Sequence, residues 1–238
     1  MVARSVRDAE VVGSNPASPT NDLAYNNNVM IALVATVFII FLLLCTSELL
    51  WRRRNVHPEY SRKFVHILVG SFVAFWPFFL TRPLIALLSG AFVAVVVISN
   101  HFNVFRTIHS VQRPTWGEIF FALAVGSLAY VAHSPWIYAA ALLHMSLADG
   151  LAAIVGTKFG KKNRYLVFGH PKSAVGSLTF FVVALAVLAM YSSVVHTDFS
   201  VSFVAIAVGA TLVENVGIRG LDNILVPLLV AVVLNVLR

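Results

Sequence analysis

The sequence predicts an all-α, polytopic membrane helix bundle with about eight transmembrane helices. Three observations carry this prediction. The 238-residue chain is 59% hydrophobic and 11% charged, where soluble domains average about 25% charged residues. Its apolar residues fall into runs near the roughly 17–25 residues that a spanning helix needs. Its cations sit in short loops between those runs, as membrane topology requires. The formal net charge of +7 therefore reads as topology and implies no nucleic-acid partner. Cys45 is the single cysteine and lies inside an apolar run. It leaves no intrachain disulfide and no cysteine-based metal motif.

In chain order, residues 1–28 are polar and lack the apolar core of a signal peptide. They read as a disordered or spurious tail ahead of a start at Met30. One membrane-embedded domain follows over 29–238. Its eight apolar segments lie at about 29–51, 64–80, 83–99, 116–133, 135–156, 173–195, 200–216 and 222–237. The second, third, seventh and eighth are the short ones. Arg52, Arg53, Arg54, Arg62 and Lys63 follow the first segment and place that loop in the cytoplasm. Strict alternation makes the loops near 100–115, 157–172 and 217–221 cytoplasmic too. Those loops hold Arg106, Arg113, Lys158, Lys161, Lys162, Arg164, Lys172 and Arg219. Thirteen of the 17 Lys and Arg then lie inside, with both termini outside. His101 and His109 read as loop residues.

The same alternation gathers the polar residues on one side. Asp149, Glu118, Glu214, Asp222, His66, Lys172 and Asn223 lie in or beside cytoplasmic helix ends. The opposite face offers only Arg82, His133, His196 and Asp198. No polar path crosses the membrane, which counts against a transporter.

The densest chemistry lies in Ser146–Ser177, MSLADGLAAIVGTKFGKKNRYLVFGHPKSAVGS from Met145 onward. Asp149 sits on an apolar run, and an acid at membrane depth marks a functional site by default. Pairing with a cation from another span is its alternative. Gly156 and Gly160, four apart, suit either helix contact through small residues or close backbone approach to phosphate. Lys158, Lys161, Lys162 and Arg164 follow, as phosphate ligands or as topology charges that touch anionic lipid. Lys172 and Ser173 stand at the mouth of a span, with Gly176 and Ser177 in its first turn. A helix N-terminus offers free N–H groups to an anion, so Lys172 is expected on phosphate, with Ser173 as N-cap or phosphate contact.

Glu214 and Asp222 reach the same face as Asp149. Mg²⁺ in nucleotide sites needs one or two protein carboxylates besides phosphate and water. Asp222 also suits an N-cap. Lys63 and His66 share a helix face, with interfacial snorkelling as the plain reading of the cation. Glu118, just after Trp116-Gly117, is a helix-N-terminal acid or a site residue. No Walker A, kinase Gly-rich loop, GxSxG or HExxH pattern occurs.

Taken together, RKFVH at Arg62–His66, WGEIFF at Trp116–Phe121, DGLAAIVGTKFGKK at Asp149–Lys162, KSAVGS at Lys172–Ser177 and Glu214 with LDNILVPL at Leu221–Leu228 resemble the polyprenol kinase family. That family comprises dolichol kinase, phytol and farnesol kinase, and CTP-dependent diacylglycerol kinase. The pieces occur in the family's order and span most of the chain after Met30. The resemblance implies phosphorylation of a long-chain isoprenoid or related lipid alcohol, with CTP as donor and Mg²⁺ as cofactor. It implies a multi-pass membrane enzyme with a cytoplasmic active face, in the plasma (inner) membrane if the cell is prokaryotic.

Asp149, Asp222, Glu118 and His66 are then the candidate catalytic residues. Asp149, Glu214 and Asp222 are the candidate metal ligands. Lys63, Gly156, Gly160, Lys161, Lys162, Lys172, Ser173, Gly176, Ser177 and Asn223 are the candidate nucleotide contacts. Val175 stands where the family usually carries an acid, which puts more weight on Glu214 and Asp222. A cytidylyltransferase that makes a CDP-lipid is the enzymatic rival. Its His-Gly-Gly…Asp-Arg…Asp signature is absent from Gly217–Asn223.

Overall fold

The structure is a computed structural model that describes residues 19–53, 58–102 and 116–237. Arg54, Arg106, Arg113 and His109 lie outside the described residues, as do residues 1–18 and the side chains of Arg52, Arg53 and His101.

Nearly all of the described chain is helical. The helices are α1 (Pro19–Arg53), α2 (Pro58–Val73), α3 (Arg82–Phe102), α4 (Gly117–Val131), α5 (Pro135–Leu143), α6 (Asp149–Phe159), α7 (Ala174–Val194), α8 (Val201–Val216) and α9 (Asp222–Val236). A π-helical segment, His144–Ala148, joins α5 to α6 without a break. Nine labels thus describe eight continuous helical rods among the described residues, one for each apolar run of the sequence. Three stretches are long and apolar enough to cross a membrane: Val29–Thr46, Pro135–Lys162 and Ala174–Val194. Four more are apolar but shorter: Arg82–Ile98, Gly117–Val131, Val201–Val216 and Asp222–Val236.

Three boundaries differ from the sequence reading. Helix α1 begins at Pro19, so the last ten residues of the expected tail are helical. Proline suits a first helical turn, where its missing N–H is not needed. Helix α2 opens at Pro58 and ends at Val73, ahead of the expected 80. Pro77 cannot extend the ladder, and the chain closes instead in a 3-10 turn over Trp76–Phe78.

The third difference is a β-hairpin where a loop was expected. Strand β1 (Arg164–Val167) pairs antiparallel with β2 (His170–Ser173), with Val167 opposite His170. The two-residue turn is Phe168-Gly169, both with positive φ, 48° and 79°. Such turns match the twist of the flanking strands. The usual turn signal is Asn-Gly or Asp-Gly, so Phe-Gly hid the hairpin from the sequence.

The core is built around the α5–α6 rod, which packs on α2, α7 and α9. Ser134 caps it by accepting the Ile137 N–H at 3.3 Å, and Pro135 opens the first turn. Ile137, Tyr138, Ala141, Leu142 and Ala148 are wholly buried. A helix that is apolar all round belongs inside. By contrast α1 packs on α2 and keeps Ile31, Val34, Phe38, Phe41 and Leu42 more than half exposed. It is a peripheral rod with an apolar face turned outward.

Candidate active site

A cavity of about 760 Å³ opens at one end of the bundle. Helix α2 brings Arg62 and Lys63, and α6 brings Asp149, Gly156 and Thr157. The hairpin brings Arg164, His170, Lys172 and Ser173, and α7 brings Gly176 and Ser177. Glu214 comes from the last turn of α8 and Asp222 from the first turn of α9. The α8–α9 turn adds Arg219 and Gly220, and Trp116 stands before α4.

Asp149, Glu214 and Asp222 form one cluster. A carboxylate oxygen from each lies within 4.8 Å of the others. Asp149 and Glu214 are buried, and Asp222 is half-buried. At an effective dielectric near 20, each such pair of charges repels by roughly 3 kcal/mol or more. Two lysines offset part of this. Lys63 Nζ donates to Asp149 Oδ2 at 2.5 Å. Lys172 Nζ donates to the Glu214 carbonyl at 2.9 Å and pairs with its carboxylate. Burial alone would lower the Lys172 pKa. Glu214, with Asp222 and Asp149 beside it, outweighs burial and raises it, so Lys172 is a cation at neutral pH. Three carboxylate oxygens thus converge on one point of the cavity, with a lysine on two of the three acids. A hard divalent cation that takes oxygen ligands fits this donor set.

Asp149 has the cation partner, from another helix, that one of its sequence readings expected, and it stands among other acids inside the cavity. His66 stands behind it, with Nε2 3.0 Å from the Met145 carbonyl and 3.6 Å from Asp149 Oδ2. His66 does not line the cavity. It supports the π segment and Asp149 from the α2 side.

The glycines pack one helix on another. A Cβ on Gly156 would lie 2.9 Å from Ser173 Oγ and 3.2 Å from Gly176 Cα. A Cβ on Gly160 would overlap Ser173 itself. Gly156 and Gly176 still line the cavity, while Gly160 is buried under Ser173 and does not. Ser173 ends β2 and caps α7, its Oγ accepting the Gly176 N–H at 3.1 Å. Ser177 Oγ donates to Asn215 Oδ1 at 3.0 Å, and the Tyr165 hydroxyl joins both.

Besides His66 and Gly160, four candidate residues lie outside the cavity lining. Lys161 and Lys162 are exposed on the 3-10 turn after α6 and do not line the cavity. Asn223 is buried, its Nδ2 donating to the Gly117 carbonyl at 2.9 Å. That bond stitches α9 to the start of α4. A second stitch runs from Trp116 N–H to the Arg219 carbonyl at 3.2 Å. Gly220, at φ 91°, sits so close to Gly117 that a Cβ there would strike its backbone. Glu118 is half-buried in the first turn of α4, outside the cavity lining. The Trp116-Gly117 motif thus holds the α8–α9 turn in place. Val175 also lies outside the lining.

The structure adds Arg62, Arg164, His170 and Arg219 to the cavity wall. The sequence reading left Arg164 open between phosphate ligand and topology charge, took Arg62 and Arg219 as topology charges, and passed over His170. The hairpin turns Arg164 and His170 inward, and a hairpin is what the sequence did not announce. Arg219 sits at φ 54°, a strained position for a non-glycine residue that swings it to the cavity mouth.

No family model and no solved structure matches the chain. Three curated proteins do. The chain is 33% identical over 195 residues to phytol kinase from Synechocystis sp., covering 77% of this chain and 81% of the relative. It is 30% identical over 239 residues to the chloroplastic phytol kinase 1 of Arabidopsis thaliana, covering 89% and 76%. It is 30% identical over 211 residues to a probable chloroplastic phytol kinase of Triticum aestivum, covering 76% and 68%. With that identity over most of both chains, and with the family's sequence pieces gathered around one cavity, this chain belongs to the polyprenol and phytol kinase family.

Proposed function

We propose that the chain is a multi-pass membrane kinase that transfers the terminal phosphoryl group of CTP to the hydroxyl of a long-chain isoprenoid alcohol of the phytol type. One observation carries this reading: three carboxylates within 4.8 Å of one another in a cavity lined by Arg62, Lys63, Arg164, Lys172 and Arg219. An ion pair that only held helices together would need one acid. Phosphoryl transfer needs charge neutralisation and in-line positioning, and this wall offers both signs of charge at short range. The relatives' names supply the class of acceptor.

In this proposal Asp149 and Glu214 hold Mg²⁺, each oriented by its lysine. When bound there, Mg²⁺ neutralises charge on the transferring phosphoryl group. Lys172 receives phosphate oxygens as a point charge. Asp222 takes the proton of the attacking hydroxyl as the new O–P bond forms and CDP leaves. The alcohol enters sideways from the bilayer, with its apolar chain in lipid and its hydroxyl at the membrane boundary. The positive-inside rule assigns the cavity to the cytoplasmic face, where CTP is available.

Purified protein in detergent, given labelled CTP or ATP with phytol, farnesol, geranylgeraniol, undecaprenol, dolichol or diacylglycerol, tests this reading. A phytyl-type monophosphate together with CDP is the expected product pair. A CDP-lipid with pyrophosphate release, or no lipid product with any alcohol, would overturn it.

A further inference from the structure

The β1–β2 hairpin ends in an apolar tip. Phe168 is 76% exposed and Leu166 73% exposed, and Phe159, at the end of α6, is 60% exposed. Lys158, Lys161 and Lys162 precede the hairpin directly in the chain and are exposed as well. Lys158 Nζ lies 5.1 Å from the Phe159 ring centre, so cations and apolar groups share one surface. Phe168 takes φ 48° in the turn, a conformation that asparagine or glycine adopts with less strain. A bulky apolar residue held at a strained and solvent-exposed position calls for something that covers it.

The hairpin's place in the chain identifies the cover. It links Pro135–Lys162 to Ala174–Val194, two stretches long and apolar enough to span a membrane. The linker is short, and a four-residue strand reaches about 13 Å. The tip therefore stays within the interfacial layer or just above it. Exposed apolar groups next to exposed cations match the boundary between acyl chains and anionic headgroups, as in interfacial helices.

We infer that the β1–β2 hairpin is a membrane anchor. Its tip, Leu166 and Phe168, seats in the interfacial layer, and Lys158, Lys161 and Lys162 meet anionic headgroups. The base of the hairpin is tied to the cavity. Tyr165 bonds to Asn215 and Ser177, Lys172 reaches Glu214, and Arg164 lines the wall, as does His170 beside the turn. Seating of the tip thus fixes the strand that carries Lys172. The inference rests on the spanning role proposed for α5–α6 and α7, and it stands apart from the identity of the nucleotide.

The test uses full-length protein in lipid vesicles, with Cys45→Ser as background. Phe168→Cys carries an environment-sensitive fluorophore, and Val182→Cys, on the exposed face of α7, is the control. Lipids spin-labelled near the glycerol backbone are expected to quench the Phe168→Cys probe at least about twice as strongly as lipids labelled near the methyl end. Phosphatidylglycerol in place of phosphatidylcholine is expected to increase that quenching. Combining Lys161→Gln with Lys162→Gln should remove the increase. A Phe168→Cys probe quenched by aqueous iodide and not by lipid, beside a lipid-quenched Val182→Cys probe, would overturn the anchor alone. Water exposure at both positions would overturn the spanning reading with it. Lipid quenching that ignores phosphatidylglycerol would overturn the match to anionic headgroups. Self-quenching that grows with protein density would show that a second copy of the chain covers the tip instead.

Discussion

Lys63 and Asp149 lie 86 residues apart in the chain and meet at 2.5 Å in the interior, α2 against α6. This pair fixes the depth at which α2 sits against the α5–α6 rod, and it aims the carboxylate at Glu214 and Asp222. Lys63→Ala leaves Asp149 buried beside two other acids. Removing one partner of a buried pair costs roughly 3–5 kcal/mol, so the variant should melt well below wild type and lose activity. Lys63→Arg should keep most of the stability. A differential scan in detergent that finds Lys63→Ala unchanged would show that the pair does not hold the helices.

Lys172 differs from its cationic neighbours. It lies at the N-terminus of α7 and pairs with Glu214, whereas Lys161 and Lys162 do not line the cavity. Charge-assisted hydrogen bonds contribute about 1.5–3 kcal/mol, so Lys172→Ala should raise the KM for nucleotide roughly ten- to a hundredfold. Lys161→Ala and Lys162→Ala should change it less than about twofold, within the range of surface substitutions. The Lys172 pKa is raised by Glu214 against the opposing effect of burial. Its charge is therefore complete below the ordinary lysine range and is lost only as pH rises through the raised value. The KM difference between wild type and Lys172→Ala should stay constant from neutral to mildly alkaline pH. A difference that fades near neutrality would contradict this.

Gly156 tests the close contact between α6 and α7. A methyl group there meets Ser173 Oγ at 2.9 Å and the Gly176 backbone at 3.2 Å, and a backbone cannot rotate away. Gly156→Ala should destabilise by about 1–3 kcal/mol, as overpacking does, and shift the α7 N-terminus off the cavity. Thermal melting reads the first effect and nucleotide KM the second. Unchanged values for both would mean that the two helices separate more easily than their packing implies.

Topology has its own check. In a Cys45→Ser background, Asn163→Cys should react only with reagents that reach the cytoplasm, and Thr197→Cys only from outside. Labelling of Asn163→Cys in intact cells by an impermeant reagent would place the cavity on the other face.

The helices were legible because apolar runs of spanning length leave few alternatives to a helix in lipid. The eight expected segments correspond to eight rods among the described residues. Asp149, Glu214 and Asp222 could be singled out because acids stand out in so apolar a chain. Alternation of the segments then brought them to one end. Roles that depend on side-chain direction were not legible. Asn223 and Gly160 belong to helix contacts, Glu118 lies off the cavity, and Lys161 and Lys162 do not line it. Its place at the mouth of a span did set Lys172 apart from those lysines. What stayed hidden is β2, the strand that carries Lys172 to the cavity, because a Phe-Gly turn announces it only faintly.

Asp149→Asn measured for turnover and for melting on one detergent preparation tests the carboxylate cluster most directly. The substitution keeps the shape of the side chain and removes the charge. It also removes an insertion penalty of roughly 2.5–3.5 kcal/mol, so the variant should still insert. Turnover should fall roughly a hundredfold or more, as when one preorganised electrostatic contact to a transition state is lost. Mg²⁺ with CTP should raise the melting temperature of the wild type, through binding to the folded state, and should no longer raise that of the variant. Near-wild-type turnover per folded molecule, with a lowered melting temperature, would contradict the cluster's role in phosphoryl transfer and leave Asp149 as the partner of Lys63 alone.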